Sequence, residues 1–143
     1  MRFSTFEVGS RFGTVKRLGA QTAAGQVLDL NLAYALTLAE RQQHPRAYEL
    51  ANALVPPDML EFLINGQFGP DAVNEALACL GPRVDDPGLT GPGGERLVYD
   101  LEEVRLLAPL PRANSIRVFE EHLKNSIPRT EYTRAFYLGP IDS

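Results

Sequence analysis

Glu120, Glu121 and His122 put two carboxylates beside an imidazole in consecutive positions. Such a group can do acid/base chemistry, because histidine changes protonation near neutral pH and a neighbouring carboxylate can orient it or polarise water. Two arginines, Arg112 and Arg117, stand close by in the sequence. The same residues have a plainer reading. Glu120 with Lys124, and Arg117 with Glu121, stand at i,i+4 spacing, and such pairs on a solvated helix face contribute only about 0.2–0.5 kcal/mol each. His122 would then be a surface histidine one turn after Val118.

The elements around this group would set its position. Val104, Leu106 and Leu107 read as a buried strand, followed by a turn containing Pro109 and Pro111. Asn114 or Ser115 can then cap a short helix carrying Glu120 to His122.

Upstream, Phe3, Phe6 and Val8 alternate with polar residues, and Gly9-Ser10 marks a turn. Phe12, Val15 and Leu18 continue in a second strand ending at Gly19, and residues 26–30 form a third after the Ala24-Gly25 turn. This is the pattern of an antiparallel meander or small roll. Helical periodicity follows. Asn31 is placed to cap residues 32–43; Pro45 to start a helix reaching 54; Pro56-Pro57-Asp58 to introduce 59–65, closed by Gly66. Pro70-Asp71 opens a fourth helix with Val73, Ala76, Leu77 and Leu80 on one face and Gly81 past its end. Residues 81–95 hold three prolines and five glycines and read as a loop or linker; 96–104 resume strand-like alternation. The expected fold class is α+β: an N-terminal antiparallel meander with three to four short helices over 1–80, the loop at 81–95, and a strand-turn-helix over 96–143.

Composition narrows the function classes. At 143 residues the chain is one ordinary domain with room for a core. Its net charge is −4 and its 14 lysines and arginines are scattered, which disfavours nucleic acid. It has no apolar run of membrane-spanning length and no secretory signal pattern at its start. A single cysteine, Cys79, cannot form an internal disulfide; a cytoplasmic location is expected. Asp85-Asp86 lacks the companions a hard cation needs, and Gly91-Pro92-Gly93-Gly94 has no Lys-Ser/Thr to make a phosphate loop. Tyr132, Phe136, Tyr137 and Leu138 in the tail predict self-association or a partner chain.

Several phrases resemble the fumarylacetoacetate hydrolase family: RLLAPLPR, then FEEH and LKN, and the rhythm of MRFSTFEVGSRFGTVKRLG, AGQVLDLNLAYA, PPDMLEFLING and DAVNEALACLG before them. The resemblance covers most of residues 1–125. It implies Mg²⁺- or Mn²⁺-dependent hydrolysis, decarboxylation or hydration of β-diketo and 2-keto acids, with His122 as water-activating base or entrance residue and Arg112 or Arg117 as the partner of a substrate carboxylate. The chain departs from the family in two places. Where members carry a metal-binding Asp after an Arg, it reads Ser115-Ile116-Arg117-Val118. The family's Glu-x-Glu ligand pair is absent from it. No metal ligand is therefore assigned. The resemblance implies a catalytically incomplete N-terminal region; a non-enzymatic interaction module, or a small enzyme whose site is shared between subunits, are the alternatives.

Overall fold

Alternation in the first twenty residues produces two long paired strands. A computed structural model describes residues 2–10 and 13–110, which belong to one compact unit, Met1–Leu110; a second unit, Pro111–Ser143, lies outside the described residues. Strand β1 (Phe3–Ser10) runs antiparallel to β2 (Gly13–Gln21) in the register Phe6↔Arg17, and β2 pairs with β3 (Val27–Asp29) in the register Gly19↔Asp29. Two short strands from later in the chain complete the sheet. Strand β4 (Val98–Tyr99) joins β3, and β5 (Arg105–Leu107) joins β1, so the antiparallel order is β4-β3-β2-β1-β5. The fold class is α+β, as expected from the sequence.

Side-chain direction alternates along a strand, so the register sorts the sheet into two faces. Leu18, Ala20, Leu28 and Val98 share the face that packs in the main core with residues of the helices α1 (Leu30–Gln42), α2 (Ala47–Leu54), α3 (Met59–Ile64) and α4 (Phe68–Leu80). Phe6, Arg17, Gly19, Val27, Asp29 and Tyr99 share the other face. There Phe6 and Val27 are fully buried, and the Phe6 and Tyr99 rings lie 5.7 Å apart. Gly19 makes this packing possible. A Cβ on it would come within 2.7 Å of the Phe6 ring and 2.9 Å of Val27. Gly19→Ala is therefore expected to overpack the face and cost about 1–3 kcal/mol, read as a lower midpoint in denaturant with an unchanged slope.

The helix boundaries follow local chemistry, with three differences from the sequence reading. Helix α1 is capped by Asp29, whose carboxylate accepts from the Leu32 amide, while Asn31 lies inside the helix and is buried. Helix α2 starts at Ala47, beyond Pro45, with Arg46 at its N-cap. Helix α4 starts at Phe68, two residues before the Pro70-Asp71 pair expected to open it, so Pro70 lies within its first turn, where its missing N–H costs nothing. Asp58 caps α3 through the Leu60 and Glu61 amides. Gly81 ends α4 at φ 53°, where glycine is unstrained.

The Gly/Pro-rich stretch contributes a 3₁₀ turn (Gly81–Asp85), the buried Leu89, and a bridge between Thr90 and Arg96. The later segments differ from expectation. The alternation over 96–104 yields only the two residues of β4, because a turn follows in which the Glu103 amide bonds the Asp100 carbonyl. The strand read as buried, β5, is an edge strand with Leu106 half exposed. No described helix is long and apolar enough to cross a membrane.

Candidate functional site

The densest polar constellation among the described residues sits where β3 turns into α1. Arg17 projects from β2 beside Asp29. Its Nε donates to Asp29 Oδ2 at 2.6 Å, and its Nη2 donates to Asp29 Oδ1 at 3.2 Å and Asn31 Oδ1 at 3.1 Å. The Asn31 amide continues the chain, donating to Asn52 Oδ1 at 3.0 Å and to the Val55 carbonyl at 2.8 Å. Four elements, β2, β3, α1 and α2, are thereby fastened through one cluster, buried at Asp29 and Asn31 and reaching the surface at Asn52. Asp29 is 1 % exposed and Arg17 17 % exposed. Burial pushes the Asp29 carboxyl above its ordinary value, against the opposing pull of Arg17 and the helix amides.

A second anion lies near it. The loop Gly91-Pro92-Gly93-Gly94 folds around the carboxylate of the residue that follows: Gly93 N donates to Glu95 Oε2 at 3.0 Å, and the Tyr48 hydroxyl donates to Glu95 Oε1 at 2.6 Å. A Cβ at Gly91 would meet Glu95 at 2.7 Å, and one at Gly93 would meet the Tyr48 hydroxyl at 2.8 Å, so the glycines leave room for a carboxylate that belongs to the chain itself. Burial acts to raise the Glu95 carboxyl, but Tyr48, the loop amides and Arg17 together bring it below its usual value. Burial, then Glu95, raises the Tyr48 hydroxyl. Beyond this, Arg96 stacks 5.2 Å over the Tyr99 ring and pairs with Glu103 at 2.6 Å.

The cluster positions chain segments; it does not present a free base. Asp29 Oδ1 receives two donors and Oδ2 a third, and the carboxylate is almost fully enclosed, so it is engaged by the chain and not presented to a substrate proton. The Gly-rich loop likewise offers its amide to Glu95. Asp85 accepts from the Ala24 amide, and Asp86 from the Gly88 amide, so this acidic pair braces loops. Cys79 is half-buried on α4.

The residues singled out for chemistry, His122, Glu121, Glu120, Arg112 and Arg117, lie outside the described residues, as does the aromatic tail. Among the described residues, no group of three or more His, Cys, Asp or Glu side chains comes together so as to hold a metal ion. The donor set for the Mg²⁺ or Mn²⁺ that the family resemblance implies is thus not found in this unit. Sequence reasoning missed the Arg17 cluster. Its one local signal was Asp29-Leu30-Asn31 ahead of an apolar helix, and that signal was assigned to the wrong member of the pair. The chain matches no protein-family model, no curated protein and no solved structure.

Proposed function

We propose that this chain supplies the N-terminal unit of a protein of the fumarylacetoacetate hydrolase type, catalytically incomplete alone. In this reading the unit is a scaffold, and the reactive groups act downstream of it. The observation that supports it is the position of the LLAPLP phrase. Leu106 and Leu107 lie on β5 at the sheet edge, and the Thr5 hydroxyl donates to the Pro109 carbonyl at 2.8 Å. The chain is thus held firmly up to the point where the segment bearing Arg112, Arg117, Glu121 and His122 begins. His122 is the base in this proposal, Glu121 its orienting carboxylate, and the arginines the partners of a 2-keto acid carboxylate. The divalent metal of the family, when bound, stabilises an enolate; its ligands would come from another unit, and none of the described residues takes part in that step.

The test is turnover of acylpyruvates and oxaloacetate with Mn²⁺, alongside a calorimetric metal titration. The full chain alone is expected to fold cooperatively, bind no Mn²⁺ and turn nothing over. Joined to a family catalytic β domain carrying Glu-x-Glu, it is expected to gain Mn²⁺-dependent turnover that His122→Ala abolishes. Turnover by the chain alone would overturn the incompleteness. A fused protein that binds Mn²⁺ and remains inactive would overturn the family assignment.

A further inference from the structure

Helix α3 buries one side and leaves the other bare. Met59 and Phe62 point into the core, while Leu60, Leu63 and Ile64, at i, i+3 and i+4, form one outward face. Phe68 follows four residues after Ile64, in the first turn of α4. The turn between the helices is tight: a Cβ on the neighbouring Gly69 would meet the Phe62 ring at 2.6 Å, so the start of α4 is pressed against α3. Leu60 is 45 %, Leu63 53 %, Ile64 73 % and Phe68 73 % exposed. Single exposed leucines are ordinary; four large apolar side chains projecting from one corner are not.

Along the chain, the charge carried by this corner is one-sided. From Ala47 to Pro82 the chain carries five carboxylates, Glu49, Asp58, Glu61, Asp71 and Glu75, and not one lysine, arginine or histidine. Asp58 caps α3 two residues before Leu60, Glu61 adjoins Leu60, and Asp71 stands three residues after Phe68. Glu49 is paired with Arg46 at the start of α2. The corner is therefore an apolar knob with an acidic rim.

We infer that this knob docks a partner protein that offers an apolar groove flanked by lysine or arginine. Charge complementarity selects that occupant. A second copy of the chain placed knob to knob would face carboxylates with carboxylates, and like charges across an interface cost several kcal/mol. The acidic rim equally repels phosphate-bearing surfaces. A groove with basic edges buries the four apolar side chains and neutralises the rim in one contact, and its association slows as salt rises. In sequence, these residues are distinct from those that carry the proposed chemistry.

The probe is a short amphipathic peptide of leucine and lysine at helical spacing, with its leucine and glutamate counterpart as control, titrated calorimetrically into the full chain at low and at physiological ionic strength. The lysine peptide is expected to bind, and to bind at least about tenfold more weakly to Ile64→Ser/Phe68→Ser and, separately, to Glu61→Lys/Asp71→Lys. These side chains are exposed, so circular dichroism should show both variants folded. Equal affinity for both variants, equal binding of the glutamate peptide, or a concentration-dependent dimer that Ile64→Ser/Phe68→Ser dissolves would each overturn the inference; the last would make the occupant a second copy.

Discussion

Replacing Arg17 with alanine is expected to lower folding stability by about 3–5 kcal/mol, the scale found when one partner of a buried ion pair is removed. The carboxylate of Asp29 is almost fully enclosed and takes two of its three hydrogen bonds from this guanidinium. Without it a buried charge loses its counter-charge, and Asn31 loses a donor on its Oδ1. The pH dependence separates this cause from lost packing. Burial already sets the folded carboxyl of Asp29 above its ordinary value of 3.8. The folded state therefore holds this proton more tightly than the unfolded chain does. The contribution of this group falls as pH rises from the unfolded value through the folded one. Arg17 opposes that shift, so the variant should raise the carboxyl further. Its deficit against the parent, measured by urea unfolding, should shrink on acidification. A double-mutant cycle with Asp29→Asn should recover part of the loss, because the asparagine keeps a capping oxygen without a charge. A deficit below about 1 kcal/mol, independent of pH, would mean that the pair behaves as an exposed one.

Phe62→Ala should cost a comparable amount, about 3–5 kcal/mol, through a different mechanism. The ring is 1 % exposed, meets Phe3 edge-on at 5.2 Å and 65°, and is covered by Gly69 at the start of α4. It ties β1 to the α3–α4 corner. Its removal leaves a cavity that neither a strand nor a six-residue helix can easily close. Equilibrium unfolding should show a lower midpoint with an unchanged denaturant slope; a changed slope would point to loss of the corner as a folded piece. Because Phe62 and the exposed Leu63 and Ile64 are sequence neighbours on opposite sides of α3, this variant also checks that the knob depends on a rigid base.

The parts of the fold that depend on local pattern were legible in the sequence. Alternation around Phe3, Phe6 and Val8, glycine at 81 and the Val73, Ala76, Leu80 stripe each gave the right element, since each follows from local backbone geometry, although Phe3 and Phe6 turn to opposite faces of the sheet. What depended on distant partners was not legible. Asp29 and Asn31 are both good capping residues, and only Arg17, twelve residues from Asp29, decides that Asp29 caps while Asn31 turns inward toward Asn52. Val104, Leu106 and Leu107 are as apolar as a central strand, yet β5 is an edge, because periodicity does not say how many neighbours a strand has. Gly91 and Gly93 read as loop flexibility; in space they make room for Glu95 and Tyr48. The acid/base group around His122 lies outside the described residues, so its geometry remains an expectation of the sequence.

The sheet order has a consequence for how the protein is made. Of these five strands β1 leaves the ribosome before the others, yet its outer edge is covered only by β5, about a hundred residues later, and the outer edge of β3 waits for β4. Until residue 99 has emerged, the nascent chain holds a three-stranded meander with both rims unpaired, and the β1 rim stays open until residue 107; unpaired rims template association with other chains. Vectorial synthesis thus imposes an interval in which the helices can already cover one face while the hydrogen-bonding borders stay open, and that interval is when a chaperone would matter most to this protein.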